Sequence, residues 1–519
     1  MWDDMGYILV FDIGTTAVKA CLFDRQLKLL GFSSEEYRLL TPRAGWVELE
    51  PETYWKAVKA QALRVCEKTG VSPDEIEAIS ATTQGETLIP VDEAGRALRN
   101  AIVWLDERAD EQARRISTRF KPETFYGRTG IPECNAYCPI AKLLWIKEQE
   151  PTIYNKTFKF LLLEDYILAR LTGDFVTEKA LCCTTGYFDI ITDEYWKEML
   201  DYCGIEPAKL PRPLECGAVL ESKLRPELCS ELKLSREVQI ITSAMDQMTA
   251  AVGAGNLKPG IITETTGTGM CVAAASDKPD FTNPQRLTIY RHIYAKKYLI
   301  IPVSMTAGLV LKWFKDEFCA DLAAEAAAKG ESVYALIDNI VSAVPAASKG
   351  LILIPYFTGV LQPDNNPLAK GVFFGIGLDT GRPEFLRSIL EGIGFMLKEN
   401  IELIEKVQGR KAEEIRSLGG GARSAIWRRI KADISGIPIA AMTENECTAL
   451  GAAILAAVAM GFYPDAASAA AASNRVAERS EPDAALKEQY QASYGKYRAV
   501  YAQLKGLFAE SALSGNQHA

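Results

Sequence analysis

The chain has 519 residues, of which 48% are hydrophobic and 24% are charged, and its formal net charge is −9. This length exceeds what one hydrophobic core usually supports, so we expect two large domains with a cleft between them. The acidic balance argues against nucleic acid or an anionic membrane as a partner, because both are bound by clustered Lys and Arg. If the protein binds an anion, a few local groups must bind it, because the overall charge of the protein repels it.

The N-terminal segment has no basic region before its short apolar run, which Asp12 interrupts, so it predicts a buried strand and not a signal peptide. The most apolar later stretch, residues 449–462, is shorter than the roughly 20 residues of a membrane span. We therefore expect a cytoplasmic protein. The 12 cysteines predict reduced thiols packed as small hydrophobic groups, since Cys134, Cys138, Cys182 and Cys183 match no zinc spacing.

Histidine chemistry has little support in the sequence, which contains only two histidines. His518 is next to last in the chain, so a histidine-dependent nucleophile would rely on His292 alone. General-base chemistry is therefore expected from a carboxylate.

A strand, a turn of small residues and a second strand are predicted over residues 7–11, 14–16 and 18–23. The same order recurs over residues 260–264, 265–269 and 270–275. Amphipathic helices at residues 53–68 and 141–148 alternate with strand-like runs, which indicates α/β layers.

The second half continues this alternation. A strand at residues 351–355 and a turn at 371–377 precede a long helix, predicted from after Pro383 through Glu391 to about residue 407. We place the domain boundary near residues 253–258, which divides the chain into domains 1–253 and 254–519.

The first predicted turn carries groups that suit phosphate. Asp12 ends the first strand, and Gly14, Thr15 and Thr16 follow, so that backbone amides, two hydroxyls and an acid compatible with Mg²⁺ share a small volume. An ordinary hairpin with Asp at its turn is the structural alternative. The recurrence of the pattern at residues 265–269 favours the phosphate site.

A third Gly-rich segment, residues 419–421, lies between a predicted strand and a helix, where a backbone can approach a ligand closely. Its spacing is neither a Rossmann fingerprint nor a P-loop. Asp246 follows the apolar run 238–241 and precedes an Ala-rich helical stretch, where a carboxylate can face a cleft or can serve as an N-cap.

Together with two longer patterns, these motifs resemble the FGGY carbohydrate kinase family over nearly the whole chain. The first pattern is Tyr137, Pro139, Lys142, Leu143, Trp145, Ile146, Glu148 and Gln149, and the second is Gly371, Phe373, Gly375, Ile376, Glu384, Phe385, Ser388, Ile389, Leu390 and Glu391. The resemblance implies an α/β fold of two actin-like, ribonuclease-H-like ATPase domains, with ATP and a sugar meeting in the catalytic cleft between them.

The resemblance also implies roles for individual residues. Asp246 would be the catalytic base, accepting the hydroxyl proton during phosphoryl transfer, and Asp12 would hold Mg²⁺. The other implied contacts are Gly14, Thr15, Thr16, Thr266, Gly267, Thr268 and Gly269 with the phosphates, Gly308 with the nucleotide, Gly420, Gly421, Ala422 and Ser424 with the adenosine, and Glu86, Trp104, Tyr137, Asp246 and Gln247 with the substrate.

The implied sugar pocket departs from two family members. Gly85 stands where glycerol kinase has Arg, and Cys271 stands where that enzyme has Phe, while xylulokinases have a Met-His-Gly motif that is missing here and an Asn in place of Leu105. Because Gly85 and Cys271 remove side-chain volume, we expect a ketose or polyol of about four to six carbons. Xylulose is the first candidate and glycerol the alternative.

Two further classes share the implied fold. An actin-like ATPase would turn over ATP without phosphorylating a small molecule, and a sugar-sensing relative would lack kinase turnover. The presence of both Asp12 and Asp246 favours the kinase. The sequence leaves the oligomeric state open, with a homodimer as one option.

Overall fold

The computed structural model of the protein describes residues 6–294, 296–362 and 365–515, with side chains as far as residue 510. Residues 1–5 of the N-terminal segment and His518 lie outside the described residues. Strands and helices alternate along the chain, as the sequence predicts.

Strands and helices are numbered separately in chain order. The strands are β1 (Tyr7–Ile13), β2 (Ala17–Asp24), β3 (Leu29–Glu36), β4 (Glu48–Leu49), β5 (Ile76–Thr83), β6 (Ile89–Val91), β7 (Ala101–Ile102), β8 (Lys159–Leu161), β9 (Val176–Glu178), β10 (Phe188–Asp189), β11 (Glu194–Tyr195), β12 (Arg212–Leu214), β13 (Gln239–Ile241), β14 (Ile261–Thr266), β15 (Met270–Ser276), β16 (Ile289–Arg291), β17 (Tyr298–Ile300), β18 (Val303–Ser304), β19 (Ile352–Ile354), β20 (Val372–Phe374), β21 (Glu414–Leu418), β22 (Ile439–Met442) and β23 (Val476–Ser480). The helices are α1 (Pro51–Thr69), α2 (Asp110–Arg119), α3 (Pro122–Thr129), α4 (Pro139–Gln149), α5 (Pro151–Lys156), α6 (Leu163–Thr172), α7 (Lys179–Cys182), α8 (Lys197–Cys203), α9 (Pro226–Leu232), α10 (Asp246–Gly253), α11 (Gly308–Phe318), α12 (Ala320–Lys329), α13 (Val333–Ser342), α14 (Arg382–Gln408), α15 (Ala425–Ser435), α16 (Cys447–Ala459), α17 (Ala466–Ser473) and α18 (Lys487–Gly515).

Two mixed sheets organise the chain. The first sheet has the strand order β13-β5-β1-β2-β3, and the second has the order β16-β17-β15-β14-β21-β22-β23, with β18 paired to β15. In the first sheet, β1 pairs antiparallel with β2 and parallel with β5. In the second sheet, β14 pairs antiparallel with β15 and parallel with β21. Both predicted hairpins are therefore confirmed, each at the centre of a sheet.

The repeat extends to the helices that follow the sheets. Helix α10 follows β13, and α16 follows β22, at the equivalent place in the second sheet. The two helices cross in direct backbone contact, because a Cβ added to Gly253 would overlap with the carbonyl of Cys447, and one added to Gly451 would overlap with that of Thr249. Only glycine permits so close an approach.

Helices α1, α4 and α14 confirm the three predicted helices, and each begins one or two residues earlier than predicted because a proline lies in its first turn. The predicted turn over residues 371–377 is wrong in part, since Val372–Phe374 forms strand β20 against β19. Valine and two phenylalanines suit a pleated, half-buried surface.

The apolar stretch 449–462 forms most of α16, whose residues Ala449–Ala457 are buried. Within the described part of the chain, no helix combines the length and the apolar character needed to cross a bilayer. All twelve cysteines are free thiols.

Candidate active site

The first hairpin places Asp12 beside a cation. Asp12 on β1 lies opposite Lys19 on β2, and Lys19 forms an ion pair with Glu446, the residue that precedes α16. Burial raises the pKa of Asp12 to about 6, while the charge of Lys19 lowers it and that of Glu446 raises it. The carboxyl group is thus mostly ionised at neutral pH and can bind a cation.

The turn after Asp12 is fixed from two sides. The hydroxyl of Tyr37 donates to the carbonyl of Gly14, and the indole Nε1–H of Trp104 donates to the hydroxyl of Thr15 at 2.9 Å. Thr16 is exposed. The predicted phosphate turn and the predicted sugar residue Trp104 are therefore in direct contact.

The second hairpin turn packs against the start of α11. A Cβ on Gly308 would overlap with the carbonyl of Gly267, and a Cβ on Gly269 would lie 2.6 Å from the Ser304 carbonyl oxygen. The amides on either side of Gly308 donate to the carbonyl of Thr268 at 2.8 and 3.2 Å. The structure thus joins two predicted nucleotide segments that lie 40 residues apart in the chain.

The Gly-rich turn after β21 lies against the end of β14. Gly419 has a φ of 73°, and a Cβ on Gly421 would lie 2.8 Å from the Cβ of Thr266. By contrast, a Cβ on Gly267 or Gly420 would meet nothing within 4 Å. These two glycines leave open space at the same edge of the second sheet, where backbone amides can face a ligand.

Two predicted contacts have other roles in the structure. The Thr266 hydroxyl donates to Glu264 at 2.6 Å and accepts from Lys431 at 3.0 Å, within a Glu264–Lys431 ion pair that is 0% exposed. Only the backbone of Thr266 is left for a phosphate. The hydroxyl of Ser424 caps α15, and Ala422 is buried beside it.

Lys142 connects the two segments that carry the predicted substrate residues Glu86 and Trp104. Its ammonium group is buried and donates to the carbonyls of Glu86 and Val103, both at 3.0 Å, and of Trp104 at 3.2 Å. Burial raises the pKa of Glu86, while Lys142 lowers it. Glu86 also has a φ of 54°, a conformation that is strained for a residue other than glycine and that clusters at functional sites.

Tyr137 lies next to Trp104, with ring centroids 6.4 Å apart in an edge-to-face arrangement. Its hydroxyl donates to Glu107 at 3.0 Å. The structure therefore brings Glu86, Trp104 and Tyr137 to one wall, although they come from three separate segments.

Asp246 is the first residue of α10, and the N-cap is Met245, so Asp246 is not the N-cap. Burial raises the pKa of Asp246 to about 7, the charge of Asp12 raises it further, and hydrogen bonds from Gln247 lower it. Asp246 in turn raises the pKa of Glu86. The three carboxyl groups lie near one another, because Asp12 pairs with Thr82, whose hydroxyl donates to the Ala244 carbonyl two residues before Asp246, and Gly85, next to Glu86, packs against Met245.

The prediction of free space at Gly85 is wrong. A Cβ at Gly85 would lie 2.9 Å from the Met245 sulfur and 3.5 Å from Thr184, so these two side chains fill the volume. Cys271, by contrast, is partly exposed, and the charge of Asp246 adds to burial in raising its thiol pKa.

His292 lies outside this group of residues. It is buried, with Nε2 3.2 Å from the carbonyl oxygen of Asn256 and Nδ1 accepting from the Ile293 amide at 2.7 Å. Burial lowers its pKa to about 4. The described titratable groups near the predicted base are therefore the carboxyl groups of Asp12 and Glu86 and the thiol of Cys271.

A cleft of about 630 Å³ lies next to the predicted substrate residues Glu86, Trp104 and Tyr137. Both halves of the chain line it, through Glu86, Trp104, Glu107, Ile131, Glu133, Asn135, Tyr137, Cys138 and Thr184 from the first, and Pro284, Arg286, Thr288, Tyr290, Val303, Met305, Thr358, Leu361, Gln362 and Asn365 from the second. The second-half residues carry no motif, so sequence reasoning missed them. Lys142 likewise received no role of its own from the sequence, although a lysine inside an apolar helical run was a usable signal.

Comparison with known proteins places this site in a family. Residues 7–253 match the model of the N-terminal domain of the FGGY family of carbohydrate kinases, and residues 263–460 match that of its C-terminal domain. The chain belongs to this family. The predicted family and enzyme class are confirmed: the protein is an FGGY carbohydrate kinase with the two-domain fold of that family, and membership implies that ATP is its phosphoryl donor.

Relatives with three different substrates in their names resemble the chain. A xylulose kinase of Bacillus subtilis is 28% identical over 511 residues, covering 97% of this chain and 98% of that protein. A glycerol kinase of Thermococcus gammatolerans is 30% identical over 463 residues, covering 88% and 90%. The crystal structure of a gluconate kinase from Lactobacillus acidophilus has a TM-score of 0.88 and 26% identity, covering 97% and 99%.

Proposed function

We propose that this kinase phosphorylates a hydroxyl of a neutral ketose or polyol of about four to six carbons, with xylulose as the first candidate substrate. The observation that carries the proposal is the charge of the cleft. Glu86, Glu107 and Glu133 line it, and its one cation among the described lining residues is Arg286, which is already paired with Glu123.

This charge distribution bears on the class of substrate. Carboxylates accept hydrogen bonds from sugar hydroxyls, whereas the carboxylate of an aldonate such as gluconate would be repelled by the acidic lining of the cleft unless it had a free cation as partner. The cleft therefore favours a neutral substrate over a sugar acid.

The size of the cleft favours a longer sugar over glycerol as the substrate. The cleft of about 630 Å³ falls within the range of about 300–1,000 Å³ for pockets that hold ligands much larger than a three-carbon polyol. Met245 and Thr184 fill the volume beside Gly85, so the extra room is not there. It lies between the first-half wall and the second-half residues Tyr290 and Met305, which line the same cleft.

Asp246 is proposed as the base. A carboxylate whose pKa is raised to about 7 is a stronger proton acceptor than an ordinary aspartate and is still substantially ionised at neutral pH. Because Asp246 is the first residue of α10, the helix backbone fixes the position of its carboxyl group. Glu86 would orient the neighbouring hydroxyls, and Trp104 and Tyr137 would offer apolar faces to the carbon skeleton.

Mg²⁺ and ATP fit the residues present. The described residues contain no group of three or more His, Cys, Asp or Glu side chains that could hold a metal, while Mg²⁺ commonly uses one or two carboxylates together with substrate phosphates and waters. Asp12 supplies such a carboxylate. The turns at residues 14–16, 267–269 and 419–421 supply backbone amides for the phosphates, and Mg²⁺ would neutralise charge on the transferring group.

The test is a coupled assay of ADP release with xylulose, glycerol and gluconate as acceptors. We expect the highest kcat/KM on xylulose and little ADP release without a sugar. A higher kcat/KM on gluconate would refute the charge argument, and a higher value on glycerol would refute the size argument. ATP turnover that needs no acceptor would indicate an actin-like ATPase instead. The cytoplasmic location is a prediction that cell fractionation can test, and the homodimer is a prediction that light scattering can test.

A further inference from the structure

Two thiols lie side by side at the edge of the cleft. Cys134 and Cys138 are 7% and 4% exposed and belong to the same apolar cluster. Each thiol acts on the pKa of the other, the turn between them is closed by a hydrogen bond from the Cys138 amide to the Asn135 carbonyl at 3.1 Å, and the Cys138 Sγ donates to Asn135 Oδ1 at 3.7 Å. Both are free thiols, so the turn already holds them as neighbours.

The two thiols are not equivalent. Cys138 lines the cleft and is the N-cap of α4, where the helix dipole favours a thiolate. The neighbouring Cys134 thiol, the turn at Asn135 and the charge of Lys142 lower the pKa of Cys138, against burial and the charge of Glu86, which raise it. Because Cys138 faces the cleft and begins a helix, whereas Cys134 does neither, Cys138 is the nucleophile of the pair.

We propose that Cys134 and Cys138 form a redox-sensitive site, at which a hydroperoxide converts the two thiols into a disulfide and disables the adjoining sugar pocket. The Cys138 thiolate attacks the peroxide oxygen, which breaks the O–O bond and gives a sulfenic acid and water or an alcohol once the leaving oxygen is protonated. The Cys134 thiol then attacks the sulfenic sulfur, forming the S–S bond and releasing water. The peroxide is reduced and the two thiols are oxidised.

Loss of activity follows from the position of Tyr137. The sulfurs must approach to about 2.05 Å, which tightens the turn that contains Tyr137. That movement alters the contact of Tyr137 with Trp104 and its hydrogen bond to Glu107. A displacement of about 1 Å in a positioning group can cost about 100-fold in rate. This regulatory effect rests on the proposed sugar site, whereas disulfide formation does not.

One tryptic peptide reports on the disulfide. Cleavage after Arg128 and Lys142 yields residues 129–142, which contain Cys134 and Cys138 and no other cysteine. After treatment of the full-length protein with hydrogen peroxide, this peptide should be lighter by two hydrogen atoms before reduction and regain them with dithiothreitol. The peptide 180–197 contains the adjacent pair Cys182 and Cys183, is measured in the same digest, and should stay reduced because burial raises both pKa values.

Activity and a variant complete the test. The oxidised protein should lose at least about tenfold in kcat/KM for xylulose and recover with dithiothreitol. In Cys134→Ala the reaction should stop at a Cys138 sulfenic acid, which dimedone traps, and the untreated variant should keep its activity. A peptide 129–142 that stays reduced, or a disulfide that forms without loss of activity, would overturn the proposal. If the reduced protein phosphorylated no sugar, the proposed function would fail, while the peptide mass would still decide whether the disulfide forms.

Discussion

The pH dependence of turnover tests the assignment of Asp246 as the base. Its pKa is raised from an ordinary value of 3.8 to about 7, and the base must be ionised to accept the hydroxyl proton. We therefore expect kcat/KM for the sugar to fall as the pH drops below about 7, by about 100-fold at pH 5, where about one molecule in 100 carries the ionised base. A carboxyl group with a pKa of 3.8 would lose less than about 10% at pH 5.

The matching perturbation is Asp246→Asn, which keeps the shape of the side chain and removes the proton acceptor. Turnover should fall by about 100-fold to 10,000-fold, the usual contribution of a general base, while ATP binding measured by titration calorimetry is retained. Asp110→Asn is the matched control, because Asp110 is also the first residue of its helix but is exposed and paired with Arg114. A flat profile between pH 5 and 8, or a fully active Asp246→Asn variant, would refute the assignment.

Two further predictions concern buried charges. Lys142→Met removes the ammonium group that bonds three carbonyls and leaves these buried acceptors without a donor. It should raise the KM for sugar and lower the free energy of unfolding by about 1–3 kcal/mol for each carbonyl left unsatisfied. Lys147→Met, on the same helix, should leave KM unchanged, and equal KM effects would contradict the role of Lys142. Burial raises the pKa of Glu164, and raises those of Asp165 and Glu178 to about 7, so the stability these groups contribute at pH 4 is lost as the pH rises to about 7. In the Glu164→Gln variant the side chain at position 164 is neutral at every pH. Between pH 5 and 7.5 the urea midpoint of unfolding should therefore fall less for this variant than for the unmodified protein. Equal declines of the two midpoints would rule this explanation out.

Local patterns predicted the parts of the site that are continuous in sequence. The two hairpins are recognisable because each combines apolar strands with a turn of small residues. Glycine in such a turn indicates a backbone conformation that other residues adopt less readily. The junction at Asp246 was recognisable for the same reason, as an apolar strand followed by a helical run. Family resemblance then supplied the roles, which the residues alone left open.

Side-chain partners could not be predicted in the same way, because they come from distant segments. The hydroxyl of Thr266 is engaged by Lys431, a contact that depends on how α15 packs on β14. Likewise, nothing near Gly85 in the sequence indicates that Met245 occupies the adjoining space. A missing side chain at one position predicts a void only when the neighbours in space are known.

The crossing of α10 and α16 constrains how the two halves can move. Because backbone meets backbone at Gly253 and Gly451, the helices cannot slide apart without opening a gap between closely packed atoms, and a rotation about the crossing is the motion that preserves the contact. Asp246 begins α10 three residues before Thr249, whose carbonyl meets Gly451 at the crossing, so it lies about 4.5 Å from the nearest crossing contact along the helix. During any such rotation the strands and loops far from the crossing would move farthest, whereas the proposed base, close to the crossing, would be displaced much less and would keep its orientation.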